Sequence, residues 1–159
     1  YVWRDAFENK ASAGHTSQGR IPEQPRSIYK TGNSAFTLYT TPSDYARFLL
    51  EMMREDRTAK QSLDAKWLQA MLTPSPVSAV ATNEEEAGSD GADKVTFGLG
   101  WRVDSQGGAK RVFHSGSNRT GFRCYAEFYP EKGSGIVIMA NAAGGNNLWA
   151  ELMKSVKER

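Results

Sequence analysis

Between residues 41 and 72 the apolar positions recur at helical spacing. Tyr45, Phe48, Leu49, Met52 and Met53 fall on one face, behind the start signal Thr41-Pro42-Ser43-Asp44. Thr41 suits the N-cap, Pro42 the first helical position, and Asp44 lies three residues after the cap. The pattern predicts a helix over about 42–55. A shorter helix is predicted over about 62–72, with Leu63, Trp67, Met71 and Leu72 on one side. Thr73-Pro74-Ser75-Pro76 ends it, because proline lacks the N–H donor and restricts the residue before it. After residue 94 the period changes to two. Val95, Phe97, Leu99, Trp101 and Val103 alternate as in one half-buried strand. Ser105-Gln106-Gly107-Gly108 turns into a strand over about 110–115, another follows at about 122–129, and Pro130-Glu131-Lys132-Gly133 turns into Gly135–Ala140. Connections this short predict antiparallel hairpins. A last helix is predicted over about 147–157, capped by Asn146 or Asn147, with Leu148, Trp149, Leu152, Met153 and Val156 inward. Glu151 lies early in it and Lys154 and Lys157 late, as the helix dipole favours.

The expected fold class is therefore α+β: a small antiparallel sheet packed with helices, with no internal repeat. Residues 1–33 are rich in turn formers and read as an extended surface segment, and 77–94, with Glu84-Glu85-Glu86, as a mobile loop. A chain of 159 residues suits a single domain, which buries roughly 70% of its unfolded surface. It opens on Tyr1-Val2-Trp3 with no Met and no signal peptide, so a fragment or processed chain is expected. The 20 basic and 18 acidic residues are interspersed, which leaves no electrostatic footprint for nucleic acid. Cys124 is the single cysteine, and His15 and His114 lie far apart without an acidic cluster. No disulfide, metal site or cofactor is expected.

Chemistry concentrates in Phe113-His114-Ser115-Gly116-Ser117-Asn118-Arg119-Thr120-Gly121-Phe122. Four other segments keep it company: Gly14-His15-Thr16-Ser17-Gln18-Gly19, Ser34 to Leu50 with its Thr41-Pro42-Ser43-Asp44-Tyr45-Ala46-Arg47-Phe48, Phe97-Gly98-Leu99-Gly100-Trp101, and Phe128-Tyr129-Pro130-Glu131 leading to Asn141. In this order the set resembles the C-terminal portion of the serine β-lactamase-like and penicillin-binding-protein-like hydrolases. One departure is Ala35-Phe36, where members usually carry a small, glycine-rich pair.

The resemblance implies a partial β-lactamase/transpeptidase-like fold whose third motif lies on a strand lining the active site. It gives His114 the place of the Lys or His that orients substrate and supports proton transfer. Ser115 would offer its hydroxyl to the substrate carboxylate or to the proton network. Gly116 would let substrate lie against the strand backbone, and Asn118 and Arg119 would contact substrate from the following loop. The backbone N–H of Ser117 would be one of two oxyanion donors, typically worth about 3 kcal/mol when aimed at the tetrahedral intermediate. Small-molecule or peptide substrates, and a periplasmic or secreted setting, are implied in the same way.

The nucleophile is missing from this picture. The family's chemistry needs a serine activated by a lysine one helical turn later, Ser-x-x-Lys, with a Tyr-x-Asn or Ser-x-Asn element. Neither Tyr-x-Asn nor Ser-x-Asn occurs. Ser27-Ile28-Tyr29-Lys30 has the Ser-x-x-Lys spacing, but it overlaps Lys30-Thr31-Gly32 and no amphipathic helix continues beyond it. It reads as a chance match. The expectation is a C-terminal portion of an acyl-enzyme hydrolase of amides or esters, inactive alone, that self-associates or pairs with its missing N-terminal part. The competing expectation is a non-catalytic ligand-binding or interaction module on the same fold.

Overall fold

The computed structural model describes residues 1–58, 62–75 and 95–157. The predicted loop over 77–94 lies outside them. Helices α1 (Pro42–Met53) and α2 (Ala65–Leu72) precede strands β1 (Thr96–Phe97), β2 (Arg102–Gln106), β3 (Ala109–Ser117), β4 (Arg123–Tyr129) and β5 (Ser134–Ala140), and helix α3 (Gly145–Lys157) closes the chain. The strands form one sheet in the order β1-β2-β3-β4-β5, the succession a run of hairpins produces, and the fold is α+β.

One compact unit comprises residues 43–115 and 126–137. Its core joins Leu49 and Met52 of α1 and Leu72 of α2 to Trp101, Val112, Ala126 and Phe128 of the sheet. Trp101 meets Phe128 edge-on, with ring centroids 5.2 Å apart. The predicted face of α1 is the observed one, except that Phe48 at its margin is exposed. In α2 the burial is rotated. Leu68, Met71 and Leu72 pack inward while Trp67 is exposed, its ring 5.6 Å from the Lys66 ammonium. Asp64 caps this helix by accepting from the Lys66 N–H at 2.8 Å.

The single strand expected over 95–103 is instead two short strands folded on each other, Thr96 opposite Val103 and Phe97 opposite Arg102. The Gly98 N–H donates to the Trp101 carbonyl at 2.8 Å and closes that turn. Strands β2 and β3 pair antiparallel from Arg102 opposite Phe113 to Gln106 opposite Ala109. Gly107 and Gly108 join them with φ of 58° and 78°. Two positive φ values in a two-residue loop are the type I′ condition that glycine meets without strain.

The same unit buries charge. Asp104 and Arg111 face each other across β2 and β3, and Arg111 donates through Nε to Asp104 Oδ1 at 2.8 Å and through Nη2 to Oδ2. Its Nη1 reaches Glu127 Oε2 at 3.4 Å, and Tyr129 donates to Glu127 Oε1 at 3.0 Å. Burial, and then the Glu127 carboxylate, push the Tyr129 phenol above its ordinary pKa.

The other compact unit comprises residues 1–42, 116–125 and 138–159. Its first 33 residues carry little regular structure, one 3-10 turn at Asp5–Phe7 aside, as expected of a segment rich in turn formers. They are held by an aromatic cluster. Trp3 packs edge-on against Phe7 and Tyr39 at 5.8 and 5.4 Å, and the Tyr39 hydroxyl donates to the Ser27 carbonyl at 2.8 Å. Helix α3 begins at Gly145, earlier than either predicted cap, and Trp149 stacks on Tyr125 at 5.6 Å. Leu148, Leu152 and Val156, expected inward, form an exposed stripe at successive turns.

Candidate active site

Strand β3 carries the His-Ser-Gly run. Side chains alternate across a strand, so His114 shares the face of core residue Val112, and Ser115 the face of Phe113. The β2 ladder reaches Phe113 and no further, so the motif begins where that pairing ends. His114 is exposed, its ring edge-on to Trp101 at 6.5 Å, and Ser115 is half-buried. An exposed imidazole packed edge-on to an indole is a residue type suited to proton transfer or substrate orientation.

Gly116 and Ser117 continue β3 in the other compact unit. A Cβ on Gly116 would come within 2.7 Å of the Cys124 sulfur, so a side chain there would need the cysteine side chain to turn away. Cys124 is exposed. Even so, the atoms crowding its sulfur push the thiol up, offset in part by the Gly116 backbone N–H. Ser117 is exposed at the strand end.

Asn118 organises the loop that follows. Its carboxamide oxygen accepts from the Thr120 N–H at 3.2 Å, the Thr120 hydroxyl at 2.9 Å and the Phe122 N–H at 3.0 Å. The predicted substrate contact thus spends its oxygen inside the loop and keeps only its amide NH2 for another partner. Arg119 is exposed at the tip.

The Gly14-His15-Thr16 segment lies directly against this loop. A Cβ on Gly14 would sit 1.8 Å from the Thr120 carbonyl oxygen, and one on Gly121 2.2 Å from the His15 carbonyl oxygen. Gly121 also has a φ of 97°, in the region that favours glycine. His15 is tied to the end of β5: its N–H donates to the Asn141 carbonyl at 2.7 Å, and its Nδ1 lies 3.1 Å from the same oxygen. A carbonyl oxygen only accepts, so Nδ1 carries the proton and Nε2 keeps its lone pair when the ring is neutral. The sequence signal for this contact was the glycine pair in Gly14-His15 and Thr120-Gly121; nothing in the spacing said that the two would meet.

The beta-lactamase family model matches residues 2–157. The chain belongs to that family. Among solved structures, the octameric penicillin-binding protein homologue from Pyrococcus abyssi is similar over 91% of this chain, with a TM-score of 0.66 and 22% identity. At that identity the likeness is one of fold, and this chain spans 30% of that structure's length. No curated protein matches.

As a beta-lactamase family member the chain still offers no Ser-x-x-Lys helix among its described residues. Ser27 to Lys30 are not helical: the Ser27 carbonyl accepts from Tyr39, and the Tyr29 N–H donates to the Tyr39 hydroxyl at 2.9 Å. Without a helical turn the Lys30 amine is not carried back over the Ser27 hydroxyl. A broad depression of about 490 Å³ beside Asn141 and Leu148 is lined by none of residues 114–119 and offers no nucleophile–base pair. Among the described residues no group of His, Cys, Asp and Glu is arranged to hold a metal ion.

Proposed function

We propose that this chain is the C-terminal portion of a serine β-lactamase-like hydrolase that cleaves amide or ester bonds through an acyl-enzyme. In this reading His114 and Ser115 orient the substrate and support proton transfer, and the Ser117 N–H is an oxyanion donor. Gly116, Asn118 and Arg119 border the substrate. The nucleophilic serine and its lysine come from outside these 159 residues. One observation carries the reading: His114-Ser115-Gly116-Ser117 occupies the end of a central strand just where its β2 partner stops, in a chain of the beta-lactamase family. The exposed Leu148, Leu152 and Val156 support pairing with the rest of the same protein or with another copy.

Acylation by a fluorescent penicillin and turnover of a chromogenic ester test the reading. The 159-residue chain should give neither, and a protein extended upstream to include Ser-x-x-Lys and Tyr-x-Asn should give one or both. In the extended protein His114→Ala should lower kcat by about 100-fold or more, the ordinary contribution of a positioned acid or base. Turnover by the short chain that disappears in Ser27→Ala would overturn the assignment of the nucleophile. If no Ser-x-x-Lys lies upstream, the enzyme reading fails in favour of a binding module.

A further inference from the structure

We propose that the cleft between the 14–22 segment and the 118–123 loop is a binding site for a small anion of carboxylate or phosphate type. The cavity measures about 160 Å³, below the range of about 300–1,000 Å³ that holds drug-sized ligands, and suits an anionic head group. Every charged or titratable side chain that lines it is basic: His15, Arg119 and Arg123. No carboxylate lines it.

The donors are available. Arg123 donates through Nη1 to the carbonyls of Asn118 and Phe122, both at 2.9 Å, which anchors its guanidinium while Nε and Nη2 make no hydrogen bond among the described residues. Arg119 has no ion-pair partner among the described residues, although the same chain pairs Arg26, Arg47, Arg54 and Arg57 with carboxylates. Two guanidinium groups beside one cavity repel each other, and an anion between them removes that cost while accepting charge-assisted hydrogen bonds.

The walls are also fixed in advance. Gly14 against Thr120 and Gly121 against His15 leave no room for a methyl group, and the Ala143 N–H donates to the His15 carbonyl at 3.0 Å. A cleft whose two sides touch backbone to backbone loses little entropy on binding. The site shares Arg119 and Asn118 with the proposed active site but needs no nucleophile, so binding and catalysis fail separately.

The test is a titration of the full 159-residue chain with inorganic phosphate and, separately, with acetate, at constant ionic strength and followed by amide NMR shifts. Saturable shifts are expected at His15, Thr120, Gly121 and Arg123. Arg119→Gln should weaken binding about tenfold, the worth of one charge-assisted contact, while Arg119→Lys retains most of it and the distant Lys132→Gln leaves it unchanged. Arg119 is exposed and bonds nothing that holds the loop, so these variants fold. The ratio of the phosphate to the acetate constant identifies the anion. Shifts that do not saturate with either anion, or a binding constant unchanged in Arg119→Gln, would overturn the proposal.

Discussion

Replacing Arg111 by Met tests the buried charge network directly. Arg111, Asp104 and Glu127 have side chains 2%, 0% and 3% exposed, so one guanidinium compensates two carboxylates with almost no help from water. Met keeps most of the volume and removes the charge. Two carboxylates are then left buried without their cation, and breaking a buried pair from one side costs about 3–5 kcal/mol. Set against a total stability of about 5–15 kcal/mol, that is a large share. With a urea m-value of about 1–3 kcal/mol/M, the unfolding midpoint should fall by about 2 M. Adding Asp104→Asn and Glu127→Gln to Arg111→Met should recover part of the loss, because no orphaned charge remains. The reasoning is refuted if Arg111→Met unfolds within about 0.5 M of the parent. It is also refuted if the triple variant is no more stable than the single one.

Three further outcomes follow from local geometry. Because burial raises the Tyr129 phenol, the folded chain keeps a proton that the unfolded chain releases. The resulting stability is complete below about pH 10 and is lost as pH climbs above it, by less than about 1.4 kcal/mol per pH unit for a partly exposed group. Tyr129→Phe should flatten that alkaline slope in urea titrations, and an identical slope in the variant would discard the assignment. Gly121→Ala combines a strained φ with a collision on the His15 carbonyl, so it should cost more than about 2 kcal/mol and lower Tm by at least about 5 °C. An unchanged Tm would mean that the two loops do not touch. Cys124 should react with iodoacetamide near pH 8 more slowly than a free cysteine despite its exposure, since less of it is thiolate; labelling at the free-thiol rate would contradict the shielding of its sulfur.

Much of the fold was legible because period and punctuation agreed. The face of α1, the Gly107-Gly108 turn and the strands around 110–115, 122–129 and 135–140 each combine an apolar rhythm with the residue that ends it. The errors fall where two registers fit the same letters. In α2 both Leu63-Trp67-Met71 and Leu68-Met71-Leu72 satisfy helical spacing, and the core selected the second. In α3 the stripe Leu148-Leu152-Val156 and its neighbours Trp149 and Met153 compete, and the stack on Tyr125 selected the indole side. From 95 to 103 the alternation runs through a turn as though it were one strand, and only the glycines at 98 and 100 marked the fold-back. The buried charges at 104, 111 and 127 left no sequence signal, because isolated charges in strands ordinarily face water.

The candidate site divides along the same line between local and distant information. His114 and Ser115 were found because their motif is contiguous. What shapes the neighbouring backbone is not contiguous: Cys124 fills the space above Gly116, Thr120 meets Gly14, and His15 meets Gly121. A glycine in such a motif is easily assigned to substrate, since a bound backbone needs open space. Here the absent side chain at 116 makes room for a sulfur of the same chain, and those at 14 and 121 for carbonyl oxygens. Substituting Gly14 or Gly121 would damage the wall before it could inform on catalysis. Exposed side chains that hold nothing together are therefore the better probes. Arg119 meets that condition for the loop, and the test of binding therefore rests on it.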